Sequence, residues 1–313
     1  MVSKDIPDID YLYPGHVACP GCGAAIAMKF ALKALGKKTV VVIPASCWGV
    51  ISGAYPHTSL KVPILHAAFA TAGATASGVR ASLDMQGDSE TTVMAWAGDG
   101  GTFDIGFQSL SGAVERGENF IYVCYDNEAY MNTGVQRSSS TPYGTRTTTT
   151  PGRSWKKSHK KNIVEALAAH RIPYAATASI AFPEDMISKF TRAKNMKQGV
   201  RFIHVFAACP TGWKIPSEMS VKISRLAVQS NVFPLYEVID GAAYALNFTG
   251  GRKVKDYMKV QGRFQHLTDD DFERIQRMVD SDFTLLQAKV QGTNAGMFTL
   301  DTVPRRSEGA KPL

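Results

Sequence analysis

Short apolar runs alternate with longer segments of helical spacing along the first two thirds of the chain. Runs of strand length are typical of parallel strands that are buried on both faces. These runs are TVVVIP (39–44), TTVMAWAG (91–98), NFIYVCYD (119–126), YAATAS (174–179) and RFIHVFAAC (201–209). The helical segments are 24–35, 67–84, 105–116 and 183–197. Strands that alternate with helices in this way predict a doubly wound α/β fold with a mostly parallel sheet.

The character of the chain changes after residue 230. The segment YEVIDGAAYALNF (236–248) predicts a strand pair, and residues 268–290 predict an amphipathic helix with acidic residues in its first turn. We therefore expect an α/β domain at 1–230. We expect 231–313 to be a C-terminal extension that packs on this domain or on partner subunits.

Composition and charge narrow the class of protein. A chain of 313 residues that is 44% hydrophobic is long enough to bury a large core. The N-terminus lacks a secretory apolar region, and no apolar run approaches the roughly 20 residues of a membrane helix. We expect a cytoplasmic protein that does not bind a membrane. The net charge of +8 fits an acidic protein partner or simple solubility, and no nucleic-acid-binding motif accompanies it.

Five cysteines are present, and this low and odd count argues against a disulfide framework. Cys19 and Cys22 form a CxxC within GHVACPGCGAA (15–25). The spacing fits a dithiol, half of a zinc site or half of an iron–sulfur site. Cys124 lies inside an apolar run, and we expect it to be a small buried hydrophobic residue.

Polar loops follow two of the predicted strands. GDGGTFDIG (98–106) places Asp99 at one strand end, and YDNEAYMNTG (125–134) places Asn127 and the carbonyl of Ala129 at the next. In parallel sheets, ligands bind at the carboxyl ends of the strands. A carboxylate, an amide oxygen and a carbonyl suit Mg²⁺, which often bridges to a diphosphate.

The GDG segment and the later Asn-containing turn resemble the thiamine diphosphate motif. The segment YDNEAYMNTGVQRSSSTPYGTRTTTTP (125–151) is similar to the beta subunit of 2-oxoacid:ferredoxin oxidoreductases, the family of pyruvate:ferredoxin oxidoreductase. PGHVACPGCG (14–23), GDGGTFDIGFQ (98–108) and KVQGRFQHL (259–267) fit the same family. The resemblance covers residues from about 11 to 262. It implies a thiamine diphosphate-binding fold.

The resemblance also implies a set of cofactors and ligands: thiamine diphosphate, Mg²⁺ and one [4Fe–4S] cluster. The implied cluster ligands are Cys19, Cys22, Cys47 and Cys209, and the implied magnesium ligands are Asp99, Asn127 and Ala129. Asn132 matches a family Asn close to the reactive carbon and is the predicted catalytic residue. The predicted cofactor-binding residues are Gly98, Asp99, Gly100, Gly101, Asn127, Thr133, Gly134, Cys47, Trp48, Gly49 and His66.

The activity implied by the resemblance is oxidative decarboxylation of a small 2-oxoacid, with electrons passed through the cluster to ferredoxin. Family members take the glutamate that activates thiamine from another subunit, and no motif here supplies it. The implied partners are therefore an alpha-type chain, a ferredoxin-like chain, ferredoxin and, where pyruvate is the substrate, coenzyme A. A non-redox thiamine enzyme whose four cysteines hold a structural zinc ion is the alternative.

Two departures from the family pattern concern the substrate. Pyruvate-type relatives have Cys-x-Glu where this chain has Cys47-Trp48-Gly49, and Thr145-Arg146 replaces their tryptophan. Arg146 suits a substrate with two carboxylates, such as oxalate, or is a surface arginine. Pyruvate and oxalate are thus close competitors, with branched-chain 2-oxoacids and 2-oxoglutarate behind them.

The densest positive stretch is RSWKKSHKKN (153–162). One interpretation is a solvated loop that covers the site or touches a neighbouring subunit. The other is a surface that attracts acidic ferredoxin or the phosphates of coenzyme A.

Overall fold

One mixed sheet forms the centre of the computed structural model, which describes residues 6–294. Its strand order is β2-β1-β3-β4-β6-β5-β7-β8. The first six strands along the chain pair in parallel, whereas β7 and β8 pair antiparallel at one edge. The strands are β1 (Thr39–Pro44), β2 (Ile64–Ala67), β3 (Thr92–Gly98), β4 (Ile121–Asp126), β5 (Tyr174–Ser179), β6 (Arg201–Phe206), β7 (Tyr236–Ile239) and β8 (Ala243–Leu246). The predicted doubly wound fold is confirmed.

Helices cover both faces of the sheet. The α-helices of the described residues are α1 (Gly23–Leu35), α2 (Cys47–Ile51), α3 (Ala72–Met85), α4 (Phe107–Glu115), α5 (Ile163–Ala168), α6 (Pro183–Asn195), α7 (Pro210–Trp213), α8 (Ser220–Gln229), α9 (Val254–Met258) and α10 (Asp269–Asn294). Helices α1 and α6 pack on one face, and α3, α4, α5 and α10 pack on the other. No helix among residues 6–294 is both long and apolar enough to cross a membrane.

The strands are apolar throughout because both of their faces are buried. In β3, Met94 and Trp96 belong to the core beneath α1 and α6. Their neighbours Val93, Ala95 and Ala97 belong to the core on the opposite face. Side chains of a strand alternate between its faces, so a doubly covered strand reads as one continuous apolar run.

Most predicted elements are confirmed, with shifted boundaries. Helix α1 ends at Gly36, which has a φ of 82° and so occupies the left-handed region that glycine tolerates. The strand pair after residue 235 is the β7–β8 hairpin, which continues the main sheet. The helix predicted over 67–84 begins only at Ala72, because the chain up to Ala67 pairs with β1 as edge strand β2. The domain division at residue 230 stays a prediction, and residues 295–313 lie outside the described residues.

Sheet order brings four loops to one edge of the molecule. Strands β1, β3, β4 and β6 are consecutive neighbours, and all four point the same way. Cys47 follows β1, Asp99 follows β3, Asn127 follows β4 and Cys209 follows β6. The strand order reverses between β1 and β3, and such a switch point is the usual ligand crevice of a doubly wound sheet.

Two glycines of α3 test the packing of α3 against α4. A Cβ at Gly73 would lie 2.8 Å from the backbone oxygen of Ser109, whereas a Cβ at Gly78 meets nothing within 4 Å. We expect Gly73→Ala to lower the free energy of unfolding by about 1–3 kcal/mol through overpacking. Gly78→Ala should raise it by about 0.5–1 kcal/mol, because alanine favours the helix. Urea denaturation measures both variants, and equal shifts would contradict this packing.

Candidate active site

The predicted magnesium ligands meet where β3 and β4 end. Gly98 pairs with Tyr125, so the residues that follow the two strands are neighbours. The side-chain oxygen of Asn127 faces only other oxygens, Oδ1 of Asp99 at 3.1 Å and the carbonyl of Ala129 at 2.9 Å. Two states satisfy this geometry: a rotated amide that donates to both oxygens, or a cation bound by all three. The donor set is one that Mg²⁺ prefers, so the residues fit the ion.

Asp99 is buried at this meeting point. Burial, followed by the charge of Asp126, raises the pKa of the Asp99 carboxyl well above its usual range. Asp126 is buried as well, but Lys160 and His204 compensate for the burial and hold its pKa below the usual range. Cationic side chains of the same chain therefore balance the negative charge of Asp126. The negative charge of Asp99 lacks this compensation, and a bound cation would stabilise it.

Three glycines make room for aromatic rings around Asp99. A Cβ at Gly100 would lie 2.3 Å from the ring of Tyr130, and one at Gly101 would lie 3.2 Å from Phe69. The nearest atoms to a Cβ at Gly98 belong to Tyr125, at 3.4 Å. We expected these glycines to admit a ligand. In the structure, the missing side chain of Gly100 leaves space for the ring of Tyr130.

The loop that carries Asn132 projects from the site. Tyr130 and Gln136 close it by exchanging backbone hydrogen bonds of 2.9 and 3.1 Å, and Asn132 and Thr133 are exposed within it. Gly134 has a φ of 117°, and Val135 follows with a φ of 63°. A positive φ is an outlier for a β-branched residue. Such strain is concentrated at functional sites, where the surrounding structure maintains it.

The loops that carry the four predicted cluster ligands are neighbours at the same edge. Cys22 precedes α1, whose first residue Gly23 donates its N–H to the carbonyl of Ala208 at 2.9 Å. Burial and the nearby thiols, Cys209 first, raise the pKa of Cys47 to about 12. Burial and the thiols of Cys22 and Cys19 likewise contribute to the raised pKa of Cys209, about 11. Cationic iron would favour the thiolates that burial disfavours.

A zinc ion and an iron–sulfur cluster place different demands on the four thiols. Over residues 6–294, no three His, Cys, Asp or Glu side chains are placed so that they could bind one metal ion. A structural zinc ion needs four ligands within about 2.3 Å of a single point. A [4Fe–4S] cluster takes one thiolate on each of four irons, which allows a wider arrangement. The four predicted ligands are all thiols, which is a donor set of either group, so metal analysis decides between the two. Cys124 is fully buried within β4, as predicted.

The short helix α7 joins the cysteine loop to the polar loops. Cys209 precedes it and accepts a 3.4 Å hydrogen bond from the N–H of Gly212. Trp213 donates its indole N–H to the backbone carbonyl of Asn127 at 2.8 Å. A Cβ at Gly212 would lie 2.1 Å from the sulfur of Met131, the residue before Asn132. The loop of the predicted catalytic residue thus packs directly on a predicted cluster ligand loop.

The remaining predicted cofactor-binding residues lie near Cys47. Trp48 is fully buried, donates to the carbonyl of Ala24 at 3.3 Å and meets Trp96 edge-on, so its ring belongs to the core. Gly49 faces open space, since a Cβ there would meet nothing within 4 Å. His66 lies exposed on β2, with its Nε2 3.4 Å from the hydroxyl of Ser52.

Several residues that support the site were missed by the sequence analysis. The three serines of RSSST (137–141) each donate a hydrogen bond to a carboxylate. Arg263 donates to Glu128 at 2.6 Å and lies over the ring of Trp213. These contacts give a structural role to the arginine of the KVQGRFQHL motif. The quoted motifs contained these residues, but their partners are distant in sequence. Only the run of serines beside a predicted ligand loop was a usable local signal.

The positive stretch 153–162 is only partly the solvated loop of the first interpretation. Lys156 is buried, donates to the backbone carbonyls of Ser139 and Thr141, and has a pKa that burial lowers to about 8. Lys160 lies 2.7 Å from Asp126 and 3.1 Å from Glu128. A docking role for these two lysines is therefore wrong, because their charges are used inside the chain. Lys157 and Lys161 are exposed.

A pair of lysine variants separates these two roles. Lys160→Met leaves Asp126 and Glu128 buried without their shared cation, and we expect the free energy of unfolding to fall by about 3–5 kcal/mol. Lys157→Met removes an exposed charge from the same stretch and should change that free energy by less than about 0.5 kcal/mol. Chemical denaturation measures both. Similar values for the two variants would show that Lys160 is not a structural ion-pair partner.

Comparisons with known proteins bear on the fold and the family of this chain. A family model described as thiamine pyrophosphate enzyme, C-terminal TPP binding domain, matches residues 46–205, about half of the chain. Ketoisovalerate oxidoreductase subunit VorB of Pyrococcus furiosus is 49% identical over 286 residues, covering 88% of this chain and 91% of the relative. Pyruvate synthase subunit PorB of Methanothermobacter marburgensis is 49% identical over 282 residues, covering 88% and 97%.

A solved structure shares the fold. The 2-oxoglutarate:ferredoxin oxidoreductase from Magnetococcus marinus superposes with a TM-score of 0.56 at 21% identity, covering 70% of this chain and 81% of that chain. At this identity the likeness shows the fold alone. The relatives, in contrast, align over nearly their full length, and their names describe them as subunits of larger enzymes. The chain therefore belongs to the family of thiamine diphosphate-binding beta subunits of 2-oxoacid:ferredoxin oxidoreductases.

Proposed function

We propose that this subunit binds thiamine diphosphate through Mg²⁺ held by Asp99, Asn127 and the carbonyl of Ala129. The observation that carries the proposal is the convergence, from two neighbouring strand ends, of the side-chain amide of Asn127 with Oδ1 of Asp99 at 3.1 Å and the carbonyl of Ala129 at 2.9 Å. A diphosphate bound to this ion would lie at the carboxyl ends of β3 and β4, next to the switch point between β1 and β3, and ligands of such folds bind at this edge. Gly49 has open space at its Cβ position, and Asn132 and Thr133 are exposed.

We also propose one [4Fe–4S] cluster, held by Cys19, Cys22, Cys47 and Cys209. When bound, thiamine diphosphate supplies the carbanion and the electron sink for decarboxylation of a 2-oxoacid. The chain's own residues hold the proposed cofactor and cluster sites close together. Helix α7 follows the proposed cluster ligand Cys209 and contacts both the metal-ligand loop and the loop of Asn132. Asn132 is the polar side chain proposed to orient the substrate. Electrons leave through the cluster to ferredoxin or a ferredoxin-like chain.

Other subunits complete the enzyme. The relatives are named as subunits, so this chain works within an assembly. We propose that an alpha-type chain supplies the glutamate that activates thiamine, and that coenzyme A accepts the acyl group. The exposed basic residues of the stretch 153–162 that could attract an acidic acceptor are Arg153, Lys157 and Lys161, of which Lys161 also donates to the carbonyl of Phe103.

The proposed substrate is a 2-oxoacid with a single carboxylate. The relatives named for pyruvate and for ketoisovalerate are equally similar to this chain, at 49% identity each. Arg146, which would suit a second carboxylate, donates its Nε–H to the carbonyl of Gly152 at 2.9 Å and is exposed. Dye reduction by the whole complex on pyruvate, ketoisovalerate, 2-oxoglutarate and oxalate tests this. Highest turnover on oxalate or 2-oxoglutarate would overturn it.

Replacement of Asp99 tests the thiamine site. We expect Asp99→Ala to abolish retention of thiamine diphosphate, because the diphosphate loses the charged ligand of its bridging ion. The cofactor content of the purified complex is measured by fluorescence after oxidation to thiochrome. Asp270→Ala, which removes an exposed carboxylate from α10, should retain wild-type content. Full occupancy in Asp99→Ala would reject Asp99 as the ligand.

Single cysteine variants test the cluster. Replacing Cys19, Cys22, Cys47 or Cys209 by Ala should remove or degrade the brown absorption of the anaerobically purified complex, because each thiolate holds one iron. Cys124→Ala is the control and should keep the spectrum. Iron and zinc analysis of the same samples separates a cluster from a structural zinc site. A requirement for Cys124, or a colourless protein with one zinc per chain, would be the contrary result.

A further inference from the structure

Three consecutive serines each hold a carboxylate from a different part of the site. Ser138 donates to Oδ2 of Asp99, which follows β3. Ser139 donates to Asp104, in the π-helix of residues 100–105. Ser140 donates to Oδ2 of Asp126 at 2.5 Å, at the end of β4. We propose that Ser138 and Ser140 are positioning residues that set the spacing of the metal ligands. This inference rests on the proposed function.

The nearest acceptor for the hydroxyl of Ser138 is the carboxylate of Asp99, since the hydroxyl of Thr141 lies farther away, at 3.4 Å. Its Oγ accepts the N–H of Ser140 at 3.2 Å and lies 2.5 Å from Oδ2 of Asp99. A serine hydroxyl has a single proton, and here that proton is directed at the carboxylate. Because Oδ2 is held in this way, Oδ1 of Asp99 is turned towards Asn127, 3.1 Å away. One hydrogen bond thus selects which carboxylate oxygen faces the proposed ion.

Ser140 acts on the other ligand loop. Its partner Asp126 immediately precedes Asn127 and accepts at Oδ1 the N–H of Glu128 at 2.8 Å. The carboxylate of Asp126 therefore spans Asn127, fixing the backbone on either side of it. Since the same short segment holds Asp99 and Asp126, it sets the distance between the two ligand loops.

The segment is itself held rigid. Thr141 accepts the N–H of Ser138 at 2.9 Å and donates its hydroxyl to the carbonyl of Glu128 at 2.7 Å. Lys156 donates to two backbone carbonyls of the same turn. Ser138, Ser140 and Thr141 are all buried, so water has little access to replace a lost hydroxyl. The spacing of the two ligand loops is therefore held by hydrogen bonds of the chain itself.

The test is the affinity of the cofactor-free complex for Mg²⁺ at saturating thiamine diphosphate, measured by calorimetry. Loss of a group that orients a metal ligand typically weakens binding about 10- to 100-fold. We expect Ser138→Ala to raise the dissociation constant for Mg²⁺ by about that factor. Ser138→Cys keeps a side chain of similar shape but is a weak donor, and it should also weaken the binding of Mg²⁺. This variant replaces Ser138→Ala if the alanine variant does not assemble.

Two serines serve as controls. Ser139→Ala removes a hydroxyl from the same turn but releases Asp104, which is not a proposed ligand, so the loss of affinity should be clearly smaller. Ser230→Ala removes a buried hydroxyl that bonds the carbonyl of Leu226, in α8, and should leave the affinity for Mg²⁺ within about twofold of wild type.

A second readout separates positioning from general destabilisation. Mg²⁺ demands a nearly ideal octahedral geometry, whereas Ca²⁺ tolerates flexible sites. A loosened Asp99 should therefore reduce the preference for Mg²⁺ over Ca²⁺, which a merely less stable protein would not do. Wild-type affinity and wild-type selectivity in Ser138→Ala would overturn the inference, as would an equal loss in Ser230→Ala.

The inference and the proposed function fail in different ways. If Asp99→Ala still binds thiamine diphosphate in a Mg²⁺-dependent manner, the proposed metal site is wrong, and the role of Ser138 falls with it. If Asp99→Ala loses this binding while Ser138→Ala and Ser138→Cys keep wild-type affinity and selectivity, the metal site stands and only the positioning role is wrong.

Discussion

The buried carboxylate of Asp126 is the group around which the polar loops are arranged. It accepts hydrogen bonds from Ser140, Lys160 and His204 on one oxygen and from the backbone of Glu128 on the other. A buried charge requires such partners, because an unpaired one would cost several kcal/mol. The partners come from a loop, a basic segment and β6. One electrostatic requirement therefore ties together segments that are far apart in the chain.

The sheet contributes the second constraint. Parallel neighbours end at the same edge, so the loops after β1, β3, β4 and β6 meet whatever their sequences are. This is why five strands and the residues Asp99 and Asn127 could be predicted from apolar runs and the polar residues after them. Strand β2 could not, because its four residues lie at the sheet edge and two of them are exposed. Edge strands lack the continuous apolar pattern that reveals a central strand.

The supporting side chains were beyond prediction for another reason. Arg263 and Glu128 form an ion pair across 135 positions, and Ser138 and Asp99 bond across 39. No local sequence pattern indicates such pairs. A lysine in a basic run is predicted to be solvated unless the fold is known to place a buried carboxylate next to it. The expectation for Lys156 and Lys160 failed on this point. The family resemblance pointed to the correct segments without indicating which side chains support them.

The contact between Met131 and Gly212 also constrains how such sequences can change. The methionine sulfur occupies the space that any side chain at position 212 would need, 2.1 Å from the Cβ site. A larger residue at 212 therefore requires either a different conformation of the Met131 side chain or a smaller residue at 131. The two positions should covary across homologous chains, and they lie in the loop of the predicted catalytic residue and in that of a predicted cluster ligand. The two loops would then have evolved as one unit rather than as exchangeable parts.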